Sequence, residues 1–347
     1  MHVAESWPHA DRYRRITTVD AHTEGEPFRV VIDGFPELRG DTILDYRRDA
    51  KQRFDHLRRA LMWEPRGHAD MYGCLLTPPT SDGADFGILF IHNEGFSTMC
   101  GHGIIAISTV VLETGMVPVE PGRATVKTLR IDSPAGLVTA HARWDGERVT
   151  GVYFHNVPSF VVETGARVEV PKLGSVTYDL AFGGAFYAYV DAASVDVGLD
   201  GNSFRELIDK GTAIKKAVMR SRAIEHPFEP DLGFLYGVIF VGAAEDPDHH
   251  SRNVCIFADG EVDRCPTGTG VSGRVALHHA AGELATGDSI VIESILGSCF
   301  RAGVHQETSF GPYAAIIPEV EGRAFITGRH EFLIDPHDEL RHGFILR

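Results

Sequence analysis

The chain has 347 residues, long for a single core and of a size that divides naturally into two domains. Its 43% hydrophobic and 23% charged residues are those of an ordinary folded protein and exclude a disordered, collagen-like or coiled-coil chain. With 48 acidic against 33 basic residues, a formal net charge of -15 and no Lys/Arg-rich run, neither nucleic acid nor an anionic membrane surface is expected as a partner.

The opening residues, MHVAESWPHADRYRR, lack the apolar stretch of a secretory signal, and no window has the length of a transmembrane helix, so a cytoplasmic location is expected. After the polar DAHTEGEP, the runs FRVVIDGF, GCLLTPP and GILFIH (Gly87 to His92) read as strands. Between the first two of these, Tyr46 to Trp63 places Phe54, Leu57, Leu61 and Met62 on one face and predicts an amphipathic helix. Beyond Gly101, IIAISTVVLETG is apolar nearly all round, as befits a helix enclosed by a sheet or barrel and stopped at Gly115. RVTGVYFHNV, AFYAYVDA and LYGVIFVGAA are strand-like and separated by Gly, Pro and Asp turns. NVCIFADG then reads as a strand, EVDRCPTGTG as a turn and VSGRVALHHAAGEL as a helix with Gly282 near its end, and the tail returns to strands. No low-complexity linker divides the halves, and the boundary is placed at the Asn156-Val157-Pro158 turn. The five cysteines (Cys74, Cys100, Cys255, Cys265, Cys299) are odd in number and scattered, which points to free thiols in a reducing compartment.

One internal repeat stands out. GILFIH-NEGFSTM-Cys100-Gly-His-Gly followed by a helix mirrors NVCIFA-DGEVDRCP-Thr267-Gly-Thr-Gly followed by a helix, and the two focal residues lie about half the chain apart. Glycines at plus one and plus three allow close backbone approach, and the helix behind them offers unpaired N–H groups and a positive dipole end. Two such starts facing one cleft would hold a carboxylate, and their field would lower a first-turn thiol from its usual ~8.5. The plainer alternatives are a buried cysteine acting as a small hydrophobe and two ordinary strand-to-helix turns.

At these turns the sequence resembles the proline racemase family, which includes hydroxyproline epimerases and trans-3-hydroxy-L-proline dehydratases. The resemblance runs through DAHTEGEPFRVV (Asp20 to Val31), EPRGHADMYG (Glu64 to Gly73), HNEGFSTMCGHG (His92 to Gly103), GGAFYAYVDA (Gly183 to Ala192), DRCPTGTG (Asp263 to Gly270) and TGRHEF (Thr327 to Phe332). It implies an α+β fold of two pseudo-symmetric lobes like diaminopimelate epimerase, each a β-barrel round a central helix. Residues 1–157 plus 324–347 would form the lobe carrying Cys100, and 158–323 the lobe carrying Asp263 and Thr267. It also implies that Cys100 accepts the α-proton, that Gly101, His102, Gly268 and Thr269 bind the substrate carboxylate, and that Asp263 meets the ring nitrogen. No cofactor is implied, the partner is a small imino acid, and a homodimer is expected.

The departure from the family pattern is informative. Racemases and epimerases of the family carry a second cysteine where this chain has Thr267, and Cys265 stands two positions earlier, expected to point away from substrate. Inversion needs a titratable group on each face of the carbon, which a threonine hydroxyl does not supply. Dehydration of trans-3-hydroxy-L-proline needs only one face, because its C2 hydrogen and 3-hydroxyl are syn, and the expected product is a pyrroline-2-carboxylate. The alternatives are a hydroxyproline 2-epimerase or proline racemase, and a non-catalytic amino-acid-binding module that keeps the cradle. No metal is assigned: His-Glu-x-x-His is absent, and His249-His250 and His278-His279 are adjacent pairs, not helix-face pairs.

Overall fold

The computed structural model describes residues 10–346; residue 347 and the first nine residues, part of the segment read above as lacking a secretory stretch, lie outside the described residues. The first part of the chain runs β1 (Arg14–Thr23), β2 (Glu26–Asp33), α1 (Ile43–Met62), β3 (Gly73–Thr77), β4 (Phe86–Ile91), α2 (Gly101–Glu113), β5 (Thr125–Ser133), β6 (Gly136–Trp144) and β7 (Val149–His155). The second part repeats that plan with β8 (Ser159–Val170), β9 (Gly174–Phe182), β10 (Phe186–Asp191), α3 (Phe204–Ser221), β11 (Leu235–Gly242), β12 (Ser251–Phe257), the short β13 (Glu261–Val262), α4 (Gly268–Ala280), β14 (Ser289–Glu293), β15 (Cys299–Phe310) and β16 (Tyr313–Gly322). The last strand, β17 (Ala324–Ile334), returns to pair with β1.

Pairing turns the second part into a closed eight-stranded barrel, in the order β8, β9, β10, β11, β12, β14, β15, β16 and back to β8. The first part forms the equivalent series β17, β1, β2, β3, β4, β5, β6, β7, and β7 then pairs with β16 to join the two. This is the expected α+β architecture. Each barrel encloses an apolar helix: α2 packs against β1, β6, β7 and β17, and α4 against β8, β9, β15 and β16. α2 is buried at every position from Gly101 to Leu112 and, apart from His102, Ser108 and Thr109, consists of glycine and apolar residues, as enclosure by strands favours.

Helix α1 starts at Ile43, three residues before the expected Tyr46, because Thr42 and Asp45 form a capping box. Sequence reasoning passed over α3 and β1 altogether. In α3 the interruption is Gly211, where a Cβ would stand 2.6 Å from the Cβ of Ile256 on β12. Close packing onto the barrel therefore demands the residue that weakens the helical signal. No helix among the described residues is long and apolar enough to cross a membrane.

Candidate active site

The strand-to-helix turns before α2 and α4 bring the starts of the two helices into contact. A Cβ on Gly101 would lie 2.6 Å from the Gly268 Cα, and one on Gly268 would lie 2.7 Å from the Gly101 Cα. The plus-one glycines thus exist for each other, letting two helix N-termini meet backbone to backbone. The plus-three glycines serve packing, not ligand approach: a Cβ on Gly103 would be 2.6 Å from the Phe28 ring and one on Gly270 would be 2.2 Å from Ile239.

Cys100 caps α2, its Sγ accepting the Gly103 N–H at 3.2 Å. The same sulfur lies 3.2 Å from Nδ1 of His102. The expected lowering of this thiol is not what the site produces. Burial pushes Cys100 well above its ordinary value, and the Asp263 and Glu26 carboxyls push the same way against the Gly103 hydrogen bond. His102 is enclosed edge-on by the Tyr72 and Phe28 rings, and burial lowers its pKa to about 4, so the ring is neutral near pH 7.

Thr267 occupies the corresponding place at the start of α4, with φ of 69°, the left-handed region that a β-branched residue rarely enters. Its side chain does not cap α4. Instead the hydroxyl donates to Asp263 Oδ2 at 2.7 Å, while Asp263 Oδ1 accepts the Cys265 N–H at 2.9 Å. The first N–H groups of α4 are therefore left without a side-chain cap, and Asp263 is fixed by two donors. Cys265 does not line the cavity, but its thiol lies just behind it, within 4.8 Å of a His102 ring nitrogen and an Asp263 oxygen. That trio has the atoms to ligate a metal, yet both Asp263 oxygens and the Cys265 sulfur are already hydrogen-bonded to their own turn.

All seven residues singled out from the sequence, Cys100, Gly101, His102, Asp263, Thr267, Gly268 and Thr269, line one cavity of about 10 Å³. Sequence reasoning missed the aromatic wall. The Tyr187 hydroxyl lies 2.7 Å from Thr269 Oγ1, and the Tyr72 and Tyr236 hydroxyls lie 3.1 Å apart. Burial raises all three phenols, which remain protonated donors.

The recurring segments outside the two turns hold this geometry. Thr23 Oγ1 donates to the His102 carbonyl at 2.8 Å, tying β1 to the first turn of α2. Glu26 Oε2 accepts the Arg264 N–H at 2.6 Å, and the Arg264 guanidinium reaches Asp70 at 2.9 Å, so the segment before α4 is anchored to the opposite barrel. Burial, then Asp263, raises Glu26 well above the carboxylate range, which favours its neutral form. Asp20 is structural: it holds the buried Arg29 guanidinium, which also donates to the carbonyls of Leu61 and Arg66. Gly183 has room for no side chain, since a Cβ would lie 2.1 Å from the Thr269 carbonyl.

A trans-3-hydroxy-L-proline dehydratase from Colwellia psychrerythraea is 47% identical over 337 residues, covering 97% of this chain and 94% of that protein. A 3-hydroxyproline 2-epimerase from Burkholderia multivorans is also 47% identical, over 336 residues covering 96% of this chain and 99% of that protein. Among solved structures, a hydroxyproline epimerase from Agrobacterium vitis with bound trans-4-hydroxy-L-proline superposes with a TM-score of 0.89 at 33% identity, covering 96% of each chain. The family model described as proline racemase matches residues 18–345, and the chain belongs to the proline racemase family.

Proposed function

We propose that this protein dehydrates trans-3-hydroxy-L-proline, with Cys100 as its acid–base residue. The observation that carries the reading is that Thr267 lines the cavity at the start of α4, as Cys100 does at the start of α2, with its hydroxyl engaged by Asp263. One face of the substrate then meets a thiol, and the other meets a group that does not titrate near neutral pH. Relatives at 47% identity over nearly the whole chain carry the name of this dehydratase, which supports the same choice.

The substrate carboxylate binds the N–H groups at the two touching helix starts, around Gly101, His102, Gly268 and Thr269. Its cationic ring nitrogen pairs with Asp263, which removes part of the negative field that raises the Cys100 thiol. Cys100 thiolate takes the C2 proton, and the charge developing toward the carboxylate is stabilised by the same amides. The C2 electron pair forms the C2–C3 double bond as the C3–O bond breaks. The new thiol returns its proton to the departing hydroxyl, so one water leaves and the thiolate is restored. The enamine then tautomerises to the pyrroline-2-carboxylate. The cavity of about 10 Å³ is near the ~10–15 Å³ needed for one water, so binding a proline ring requires the lining side chains or the barrels to shift.

A 2-epimerase is the second reading, favoured by the closeness of the Cys265 thiol to His102 and Asp263 and by the Burkholderia multivorans relative. Incubation in D₂O with trans-3- and trans-4-hydroxy-L-proline, followed by NMR, separates the two. The proposal expects pyrroline-2-carboxylate from the 3-hydroxy compound. Deuterium at C2 of an epimerised substrate without loss of water would overturn it, and ligand affinity with no turnover would point to a binding module.

A further inference from the structure

Three side chains far apart in sequence meet on the outer surface of the seam between the barrels. The register of β7 against β16 sets His155 opposite Glu319, and the His155 Nε2 lies 3.0 Å from Glu319 Oε2. On the other side of β16, the ladder with β15 shifts between Val304 and Gln306, leaving His305 as the extra residue of a bulge. A bulge re-aims the side chain it carries. Here it stacks the His305 ring on His155, with centroids 3.7 Å apart and planes at 15°. One ligating atom from each of His155, His305 and Glu319 lies within 4.8 Å of the other two.

We propose that His155, His305 and Glu319 form a binding site for a zinc-type divalent transition metal. Two imidazoles with one carboxylate are the donor set of three-ligand zinc sites, with solvent as the fourth ligand, and imidazole nitrogen discriminates against Mg²⁺ and Ca²⁺. Donor atoms round a tetrahedral zinc stand roughly 3.3 Å apart, given bonds of about 2.0–2.1 Å. These partly exposed side chains, already within 4.8 Å, reach that separation once one imidazole swings out of the stack so that both ring lone pairs converge on one ion. The His155 ring is braced from behind by His141, at 5.2 Å, which itself stacks on Tyr153. The site is separate from the cavity at Cys100: Phe154, the neighbour of His155, points inward and would meet a Cβ on Gly101 at 3.2 Å, so His155 faces the opposite side of the sheet. A metal there would cross-link β7 of one barrel to β15 and β16 of the other.

The test is a titration of the full chain with Zn²⁺, read by calorimetry and by the melting temperature, beside the variants His305→Ala and Glu319→Gln. The wild type should bind one Zn²⁺ and melt higher with it, and both variants should lose at least tenfold in affinity and most of the thermal shift. Metal-free turnover of the variants should stay unchanged, because the residues lie outside the cavity, and each variant's thermal shift is read against its own metal-free melting temperature. With Co²⁺ as the probe, the visible spectrum should be that of nitrogen and oxygen ligands. No Zn²⁺ binding by the wild type, equal binding by His305→Ala, or a thiolate-to-cobalt charge-transfer band pointing to Cys265 would each overturn the proposal.

Discussion

Replacing Gly101 by Ala tests whether contact between two helix starts sets the working geometry. The added Cβ would lie 2.6 Å from the Gly268 Cα, 2.9 Å from the Gly268 carbonyl carbon and 3.2 Å from the Phe154 ring. Carbon atoms pack at about 3.5–4.0 Å, so relief requires α2 and α4 to separate by roughly 1 Å, with backbone on one side and a buried ring on the other. Helix propensity alone would favour Ala by about 0.5–1 kcal/mol. Overpacking of this kind costs about 1–3 kcal/mol, so the expected sign is a net loss of stability. Activity should suffer more, since a displacement of about 1 Å at a reacting centre can lower the rate roughly 10²-fold. Thermal unfolding and kcat/KM for trans-3-hydroxy-L-proline would be measured beside Gly201→Ala, where a Cβ meets nothing within 4 Å. Wild-type melting and wild-type kcat/KM in Gly101→Ala would refute the reasoning.

Cys100→Ser should lower kcat by about 10²–10⁴-fold, the usual worth of a positioned acid–base group, and near-wild-type dehydration would remove the thiol from the mechanism. In the wild type, kcat/KM should rise with pH above neutrality, because burial holds the Cys100 thiol above its ordinary value; a flat profile would contradict that. Thr267→Cys should gain some C2 epimerisation of proline-type substrates in D₂O, and its complete absence in a folded variant would weaken the one-face argument. His102 has a folded pKa of about 4 against ~6.5 when unfolded, so the unfolded chain binds the extra proton between those values. Its contribution is present above pH 6.5 and is lost as pH falls toward and below 4, by roughly 3 kcal/mol in denaturant-unfolding free energy. His102→Asn should lack that increment, and an unchanged acid limb would show that the ring does not resist protonation.

Much of the site was legible because its two halves are each local in sequence. Cys100 to Gly103 and Thr267 to Gly270 carry their own turn and helix start, and the apolar run behind the first suits an enclosed helix. The parts that escaped depend on contacts across the fold. Tyr187 and Tyr236 look like strand residues and Tyr72 directly precedes one, and only the assembled fold brings all three to the cavity. Glu26 sits in the polar stretch DAHTEGEP, to which sequence reasoning assigns no structural role, and its bond to the Arg264 backbone joins residues from opposite barrels. His155, His305 and Glu319 have no spacing that a motif could capture, since strand register and a bulge bring them together. The plus-one glycines also accommodate one another, a contact between halves of the chain that their spacing could not show, and it holds two amide-rich helix ends side by side.

The electrostatics give that pairing its consequence. A helix start alone would favour a thiolate, yet Cys100 is buried in the field of Asp263, and burial is the larger effect. The thiol therefore ionises easily only when a positive charge joins the site. The proposed substrate brings one on its ring nitrogen and places its negative carboxylate on the uncapped amides of α4. The same ligand thus satisfies the helix ends, offsets Asp263 and makes its own base. Thr267 fits this economy of charge: it fixes Asp263 by donating to Oδ2 while adding no charge and no second acid. A left-handed conformation at a β-branched residue costs of order 1–3 kcal/mol and persists only where the surroundings enforce it. Its retention at Thr267 is best explained by the aspartate that it holds in place.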